Sequence, residues 1–329
     1  MKNVLSTLLK VCISGVILFV LFRSIDLELF WGTVKSVPLS AIVAGAVIIF
    51  GTQAISSYRW QTILKKDMCV PYTRLLSIYL VGMFFNNFLP TMVGGDVIKG
   101  YYLYKSSKRG DVSLASIFLD RYSGFTAMMV ITTVAVIVGY PLLRGAGLAG
   151  VFVLLIAAFV GLSLVIWVGP LHSWVMSLLG KIHLYGINKK IDSTYKVLMG
   201  YKGHRDILVV IFGCSMVVQL GVMLGYAIIG RGMGIEVGLG YYFLFIPLAT
   251  VVSMVPISLA GLGLREGVMV YLFTLVGATK EQALTLSLVW FALMVGVSVL
   301  GGIEYVRMGG SKELPISEAE ELSEGLDRG

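Results

Sequence analysis

The stretch Leu89-Pro90-Thr91-Met92-Val93-Gly94-Gly95-Asp96-Val97-Ile98-Lys99 breaks an apolar segment in its middle. Proline lacks the N–H that a helix interior needs and clashes with the preceding turn, so a helix entering this stretch must stop there. The glycine pair permits a tight reversal. A second helix then starts at Gly94, Gly95 and Asp96, with its first backbone N–H groups free. Such a start carries partial positive charge and suits an anion, and Lys99 adds a full charge one turn later. Segment 75–104 therefore reads as a helical hairpin rather than a single span.

The pattern recurs in Val255-Pro256-Ile257-Ser258-Leu259-Ala260-Gly261-Leu262-Gly263-Leu264-Arg265. Aligned on proline, both stretches run aliphatic, Pro, two variable, aliphatic, small, Gly, two variable, aliphatic, basic, with the basic residue nine positions after the proline. Segment 241–278 is the second expected hairpin. Broken helices in paired repeats are a feature of secondary transporters. Irregular backbone at membrane depth survives only where it is buried in protein or lines a wet cavity.

Composition places these breaks in lipid. The 329 residues are 57% hydrophobic and 13% charged, about half the charge of a soluble domain, and the mean hydropathy is +0.89. One anchor cannot produce that value over the whole length. Segments 4–22, 39–57, 113–139, 146–168, 206–230 and 282–305 are near the roughly 20 apolar residues that a spanning helix needs. The first resembles a signal peptide, but no small-x-small site follows it before Arg23, so it reads as a retained span. The fold expected is an all-α, polytopic membrane helical bundle of about six spanning helices plus two re-entrant helical hairpins. Residues 1–310 form a single transmembrane domain with repeat halves near 39–140 and 206–305. Residues 26–38 are too short to span and read as interfacial, 169–205 as an amphipathic pair on the inner surface, and 311–329 as an acidic, disordered tail.

Lysine and arginine placement sets the topology. With the N-terminus inside, nineteen of the 26 Lys and Arg residues fall inside and five outside, Arg121 and Arg265 remaining within apolar segments. Arg74 and Lys105 then put both ends of the first hairpin on the cytoplasmic side, while Arg231 and Lys280 put both ends of the second outside. The hairpins are thus oppositely oriented, an inverted repeat, with both chain termini cytoplasmic in the inner membrane. This distribution also explains the net charge of +8 without nucleic acid. Cys12, Cys69, Cys214 and the three histidines show no metal or disulfide spacing, so no cofactor and no metal are expected.

Ionisable groups inside spans are costly and usually face the bundle interior and pair. Asp96 reads as an N-cap of its own half-helix or as a site residue. Asp120 and Arg121 are neighbours and cannot face each other on a helix, so each needs a partner elsewhere, and the Arg121 guanidinium suits a phosphate. Asn86 and Asn87 cap freed carbonyls or touch substrate. Arg59 ends the second span as a topology anchor or a ligand.

These residues carry a resemblance. Ser57-Tyr58-Arg59-Trp60, Asn87-Phe88-Leu89-Pro90 through Gly94-Gly95-Asp96, Asp120-Arg121-Tyr122-Ser123-Gly124, and Pro256 with Ala260-Gly261-Leu262-Gly263 and Glu266 resemble the lysylphosphatidylglycerol synthase transmembrane-region family of flippase-like membrane proteins, over about residues 5–305. The resemblance implies a helical bundle with re-entrant elements that flips aminoacylated phospholipids or serves polyprenyl-lipid pathways. It also implies that the Gly-Gly-Asp, Asp-Arg and Gly-Leu-Gly-x-x-Glu positions line the headgroup path. Thr91-Met92 and Ser258-Leu259 stand where relatives often have Pro-Gly, and Lys99 where they often have Arg. With the chain ending after its last span, no soluble aminoacyl-transferase domain is expected.

The expected substrate-binding set is Arg59, Asn87, Gly94, Gly95, Asp96, Lys99, Asp120, Arg121, Gly261, Gly263, Arg265 and Glu266, with no catalytic residue. The expected partners are membrane lipids with an anionic or zwitterionic headgroup; a homo-oligomer is left open. The leading reading is a lipid translocase rather than an enzyme. No GxxxxGK[ST] motif is present, so direct ATP drive is not expected. The alternatives are a membrane-embedded transferase acting on lipid headgroups, which needs a general base such as Asp120 or Glu266, and an ion-coupled small-molecule transporter.

Overall fold

The computed structural model describes residues 2–88, 94–138, 149–179, 194–254, 257–258 and 261–310. The expected tail 311–329 and both hairpin prolines, Pro90 and Pro256, lie outside them. Twelve helices are described: α1 Lys2–Arg23, α2 Leu27–Ser36, α3 Leu39–Leu64, α4 Tyr72–Phe88, α5 Gly94–Ser107, α6 Gly110–Val138, α7 Ala149–Trp167, α8 Gly169–Leu179, α9 Arg205–Gly232, α10 Leu239–Ser253, α11 Leu264–Thr274 and α12 Lys280–Arg307. A helical stretch at 194–199 and a tight turn Gly200–Gly203 precede α9.

Five of these, α3, α6, α7, α9 and α12, are long and apolar enough to cross a membrane. α3, with 26 residues, is about 39 Å long. The first expected span falls in α1, a helix of 22 residues. The outward faces are apolar, with Val43, Val47 and Phe50 on α3 and Val151, Val153 and Leu154 on α7 exposed, as a lipid solvent requires. The chain is an all-α polytopic membrane bundle. The stretch expected at the interface, 26–38, contains α2, whose start is capped by Asp26 Oδ1 accepting from Glu28 N–H (2.8 Å) and Leu29 N–H (3.1 Å).

Between the long helices lie two pairs of short ones, α4–α5 and α10–α11, with 17, 14, 15 and 11 residues, each short of the roughly 20 residues of a typical span. Within each pair the limbs pack on each other. The contacts fix how the pairs hang. Where α3 starts, Pro38 and Ala41 meet Gly232 at the end of α9. Where α3 ends, the Tyr201 hydroxyl just before α9 donates to the Ile63 carbonyl (2.9 Å). α3 and α9 are therefore antiparallel. The α4–α5 pair follows the end of α3, and the α10–α11 pair follows the end of α9, so the two hang from opposite ends of the bundle.

The end carrying the first pair gathers Lys65, Lys66, Lys105, Lys108, Arg109, Lys202 and Arg205. Here Lys66 Nζ lies 4.2 Å over the Tyr201 ring, Tyr201 bonds Asp67 (3.3 Å), and Arg109 reaches Asp67 at 3.8 Å. Burial and the neighbouring Asp67 carboxylate push the Tyr201 phenol well above its ordinary value. At the other end, the Asp26 N–H donates to Glu281 (3.2 Å).

Candidate functional site

Helix α5 starts against α4. Gly95 sits on the Gly82 carbonyl so closely that a Cβ there would collide with it, so only glycine permits this crossing. The side chain of Asn86, on α4, accepts from Gly95 N–H (2.8 Å). One of the first N–H groups of the half-helix is therefore taken by an amide oxygen of the opposing limb. Asn87 Nδ2, one residue on, is buried without a hydrogen-bond partner among the described residues. Gly94 is buried at the first position of α5.

Asp96 and Lys99 are three apart on α5 and share a face. Lys99 Nζ lies 3.0 Å from Asp96 Oδ1 and 3.6 Å from Asp120 Oδ2 of α6. It also stands 4.1 Å from the Tyr79 ring centre and 5.5 Å from that of Trp60. Arg59 Nε donates to Asp120 Oδ1 (2.8 Å) and its Nη1 to Ser215 Oγ of α9 (2.9 Å). The Tyr79 hydroxyl donates to Asp120 Oδ2 (3.0 Å). Arg121 turns away from Asp120 and donates through Nε to Asp96 Oδ2 (2.6 Å). Arg59, Asp96, Lys99 and Asp120 are all buried, whereas the Arg121 side chain is 51% exposed and forms the accessible edge of the cluster. Gly124 leaves room for the Arg59 guanidinium, whose Nη1 would lie 3.3 Å from a Cβ there.

Three cations and two carboxylates meet, brought together from α3, α5 and α6. Isolated charge at membrane depth is expensive, and each carboxylate here holds at least two cationic or hydroxyl partners. Among the described residues one unit of positive charge is left over, and its accessible carrier is Arg121.

The second hairpin is built differently. Gly263 has φ of +86°, a conformation that glycine adopts freely, and its N–H donates to Glu266 Oε2 (2.7 Å). Glu266 Oε1 accepts from Arg265 Nη2 (2.6 Å) and from Ser287 Oγ of α12 (3.0 Å). Glu266 is fully buried. Arg265 and Glu266 neutralise each other, and the helix start is taken by the chain's own carboxylate. The buried Gly261, with φ of +79°, makes the turn ahead of it. Gly261, Gly263, Arg265 and Glu266 thus form a second cluster attached to α12, not part of the first one. The difference follows from where the acid sits. Asp96 precedes its lysine by one turn, whereas Glu266 follows its arginine and reaches back to the helix start.

Two expectations change in detail. Arg59 does not end its helix, because α3 runs on to Leu64 and the pairing with Asp120 makes the buried charge tolerable. Asp96 lies in the first turn of α5 with its carboxylate held by Lys99 and Arg121, while the cap on Gly95 comes from Asn86. Tyr79 and Ser215 join the site without having been singled out, and Asn86, expected to cap carbonyls or touch substrate, caps an N–H instead. Their signal was spacing: Tyr79 and Asn86 are seven apart on one face of α4, and Ser215 with Gln219, four apart, forms a polar stripe on the apolar α9. Gln219 donates to the Gly124 carbonyl (3.1 Å).

Beside the cluster, a groove of about 740 Å³ runs between α3, α9 and the start of α4, lined by Ala54, Ile55, Tyr58, Tyr72, Cys214 and Val217 among others. Its Tyr58 and Cys214 adjoin Arg59 and Ser215 in the chain.

The family described as lysylphosphatidylglycerol synthase TM region matches residues 7–302. A UPF0104 membrane protein of Methanothermobacter thermautotrophicus is 21% identical over 294 residues, covering 81% of this chain and 86% of that protein.

Proposed function

The chain belongs to the lysylphosphatidylglycerol synthase transmembrane-region family, and from that premise we propose that it moves a lipid with a phosphate-bearing headgroup, a phospholipid or a polyprenyl phosphate, across the cytoplasmic membrane. The observation that carries this reading is the surplus cation in the cluster of Arg59, Asp96, Lys99, Asp120 and Arg121. A phosphate is the anion that a half-exposed guanidinium binds in a fork, and binding it brings the cluster to neutrality. Asn87 Nδ2, a buried donor without a partner among the described residues, suits a further headgroup oxygen. The apolar groove beside the cluster suits an acyl or prenyl chain, which stays in a lipid-like surrounding while the headgroup crosses.

The basic end of the bundle faces the cytoplasm by the positive-inside rule. The α4–α5 hairpin then enters from that side and α10–α11 from the other. Helices 39–140 and 206–305 act as two repeat halves, α3 with α9 at their centre. Alternating access by such halves around a fixed site is the physical basis of transport in proteins of this build.

A vesicle assay tests the reading. Purified protein is reconstituted with fluorescently tagged phosphatidylglycerol, and movement between leaflets is followed by an impermeant quencher. The expected outcome is leaflet exchange above that of protein-free vesicles. A chemically altered headgroup would instead support a transferase, and solute uptake without lipid movement a small-molecule transporter.

A further inference from the structure

The Lys99 ammonium occupies a chamber built for an ammonium. Two carboxylates, Asp96 Oδ1 at 3.0 Å and Asp120 Oδ2 at 3.6 Å, face it, and the rings of Tyr79 at 4.1 Å and Trp60 at 5.5 Å stand against it. Acidic groups combined with aromatic faces within about 6 Å are the chemistry by which proteins select organic ammonium ions. The walls are fixed from behind: Tyr79 donates to Asp120 (3.0 Å), Trp60 Nε1 to Ser116 Oγ (3.2 Å), and Arg59 holds the far side of Asp120 (2.8 Å). Lys99 is buried, with its stem against Gly82.

We propose that Lys99 is the specificity residue of the site. Its side chain fills the ammonium position, so the lipid accepted is one whose phosphate headgroup carries no amine. This deepens the reading above and rests on it for the identity of the ligand as a lipid. A headgroup with its own ammonium finds the chamber taken by a cation that cannot leave, and only the phosphate position at Arg121 remains. Removing Lys99 leaves Arg59 and Arg121 against Asp96 and Asp120, a neutral cluster with an empty ammonium position. The same change therefore deletes the surplus positive charge and admits an amine, turning the preference from anionic to amine-bearing headgroups.

The test uses the full-length protein in detergent. Lys99→Ala is melted in increasing n-butylammonium chloride, with sodium chloride at equal ionic strength as the control. The expected result is a saturable rise in melting temperature for Lys99→Ala and none for the wild type; no response from the variant, or an equal response from both, overturns the proposal. In parallel, native mass spectrometry of each protein with equimolar phosphatidylglycerol and phosphatidylethanolamine reads the bound ratio. The variant should shift toward phosphatidylethanolamine by at least about tenfold, and an unchanged ratio overturns the proposal. Should the alanine variant not fold, Lys99→Gln keeps the stem, removes the charge and carries the same lipid comparison. Both readouts are binding measurements, so a protein that moves no lipid in vesicles leaves them standing. Unchanged selectivity in a protein that does move lipid overturns this inference alone.

Discussion

Asp120 is approached from three helices: by Arg59 on α3 at 2.8 Å, by the Tyr79 hydroxyl on α4 at 3.0 Å, and by Lys99 on α5 at 3.6 Å. Buried ion pairs contribute little net stability, but removing one partner leaves the other charge uncompensated, at about 3–5 kcal/mol. Asp120→Asn should therefore lower the melting temperature in detergent sharply, and a melting curve superimposable on the wild type's would show that Asp120 anchors nothing. Arg121 differs because half of its side chain is exposed. Its partner Asp96 is buried but keeps Lys99 at 3.0 Å, so Arg121→Gln should lower the melting temperature less than Asp120→Asn does while weakening binding of anionic lipid, measured by native mass spectrometry. The sequence named all of these acids and bases because charge inside an apolar run is conspicuous. Which of them pair was not legible, since Arg59 and Asp120 are 61 positions apart and only the tertiary crossing of α3 and α6 brings them together.

At the scale of elements, the helix breaks were legible because proline and paired glycines act locally. Their consequence was less so. A free helix start was the natural reading of Gly94-Gly95, yet Asn86 caps Gly95 from the opposing limb, and Glu266 caps Gly263 within its own turn. The two hairpins share a backbone pattern and differ in charge, because the acid sits on opposite sides of the aligned base. The α4–α5 crossing depends on the missing side chain at Gly95, where a Cβ would meet the Gly82 carbonyl and the Asn86 side chain. Gly95→Ala should force the limbs apart at a cost of about 1–3 kcal/mol, seen as a lower melting temperature. The same change at Gly267, where a Cβ meets nothing within 4 Å, should be nearly silent. Equal effects at the two positions would contradict the close crossing.

For the whole molecule, charge and contacts agree on one arrangement. The bundle end that carries α4–α5 is rich in lysine and arginine, and the opposite end carries α10–α11. Single cysteines at Lys105 and Lys280, in a background without Cys12, Cys69 and Cys214, should react with an impermeant maleimide from the cytoplasmic and the external side respectively; labelling of both from one side would refute the opposed hairpins. Composition made the membrane bundle legible from the start, since lipid as solvent leaves helices as the only open-ended way to satisfy the backbone. Net charge of the buried site was not legible, because it depends on which charges meet. The account stands or falls on that surplus positive charge. The most direct measurement is leaflet exchange of tagged phosphatidylglycerol in vesicles holding equal amounts of folded wild-type or Arg121→Gln protein. Loss of a charge-assisted hydrogen bond, about 1.5–3 kcal/mol, predicts a fall of roughly tenfold or more in the variant, and equal rates in the two proteins would contradict the account.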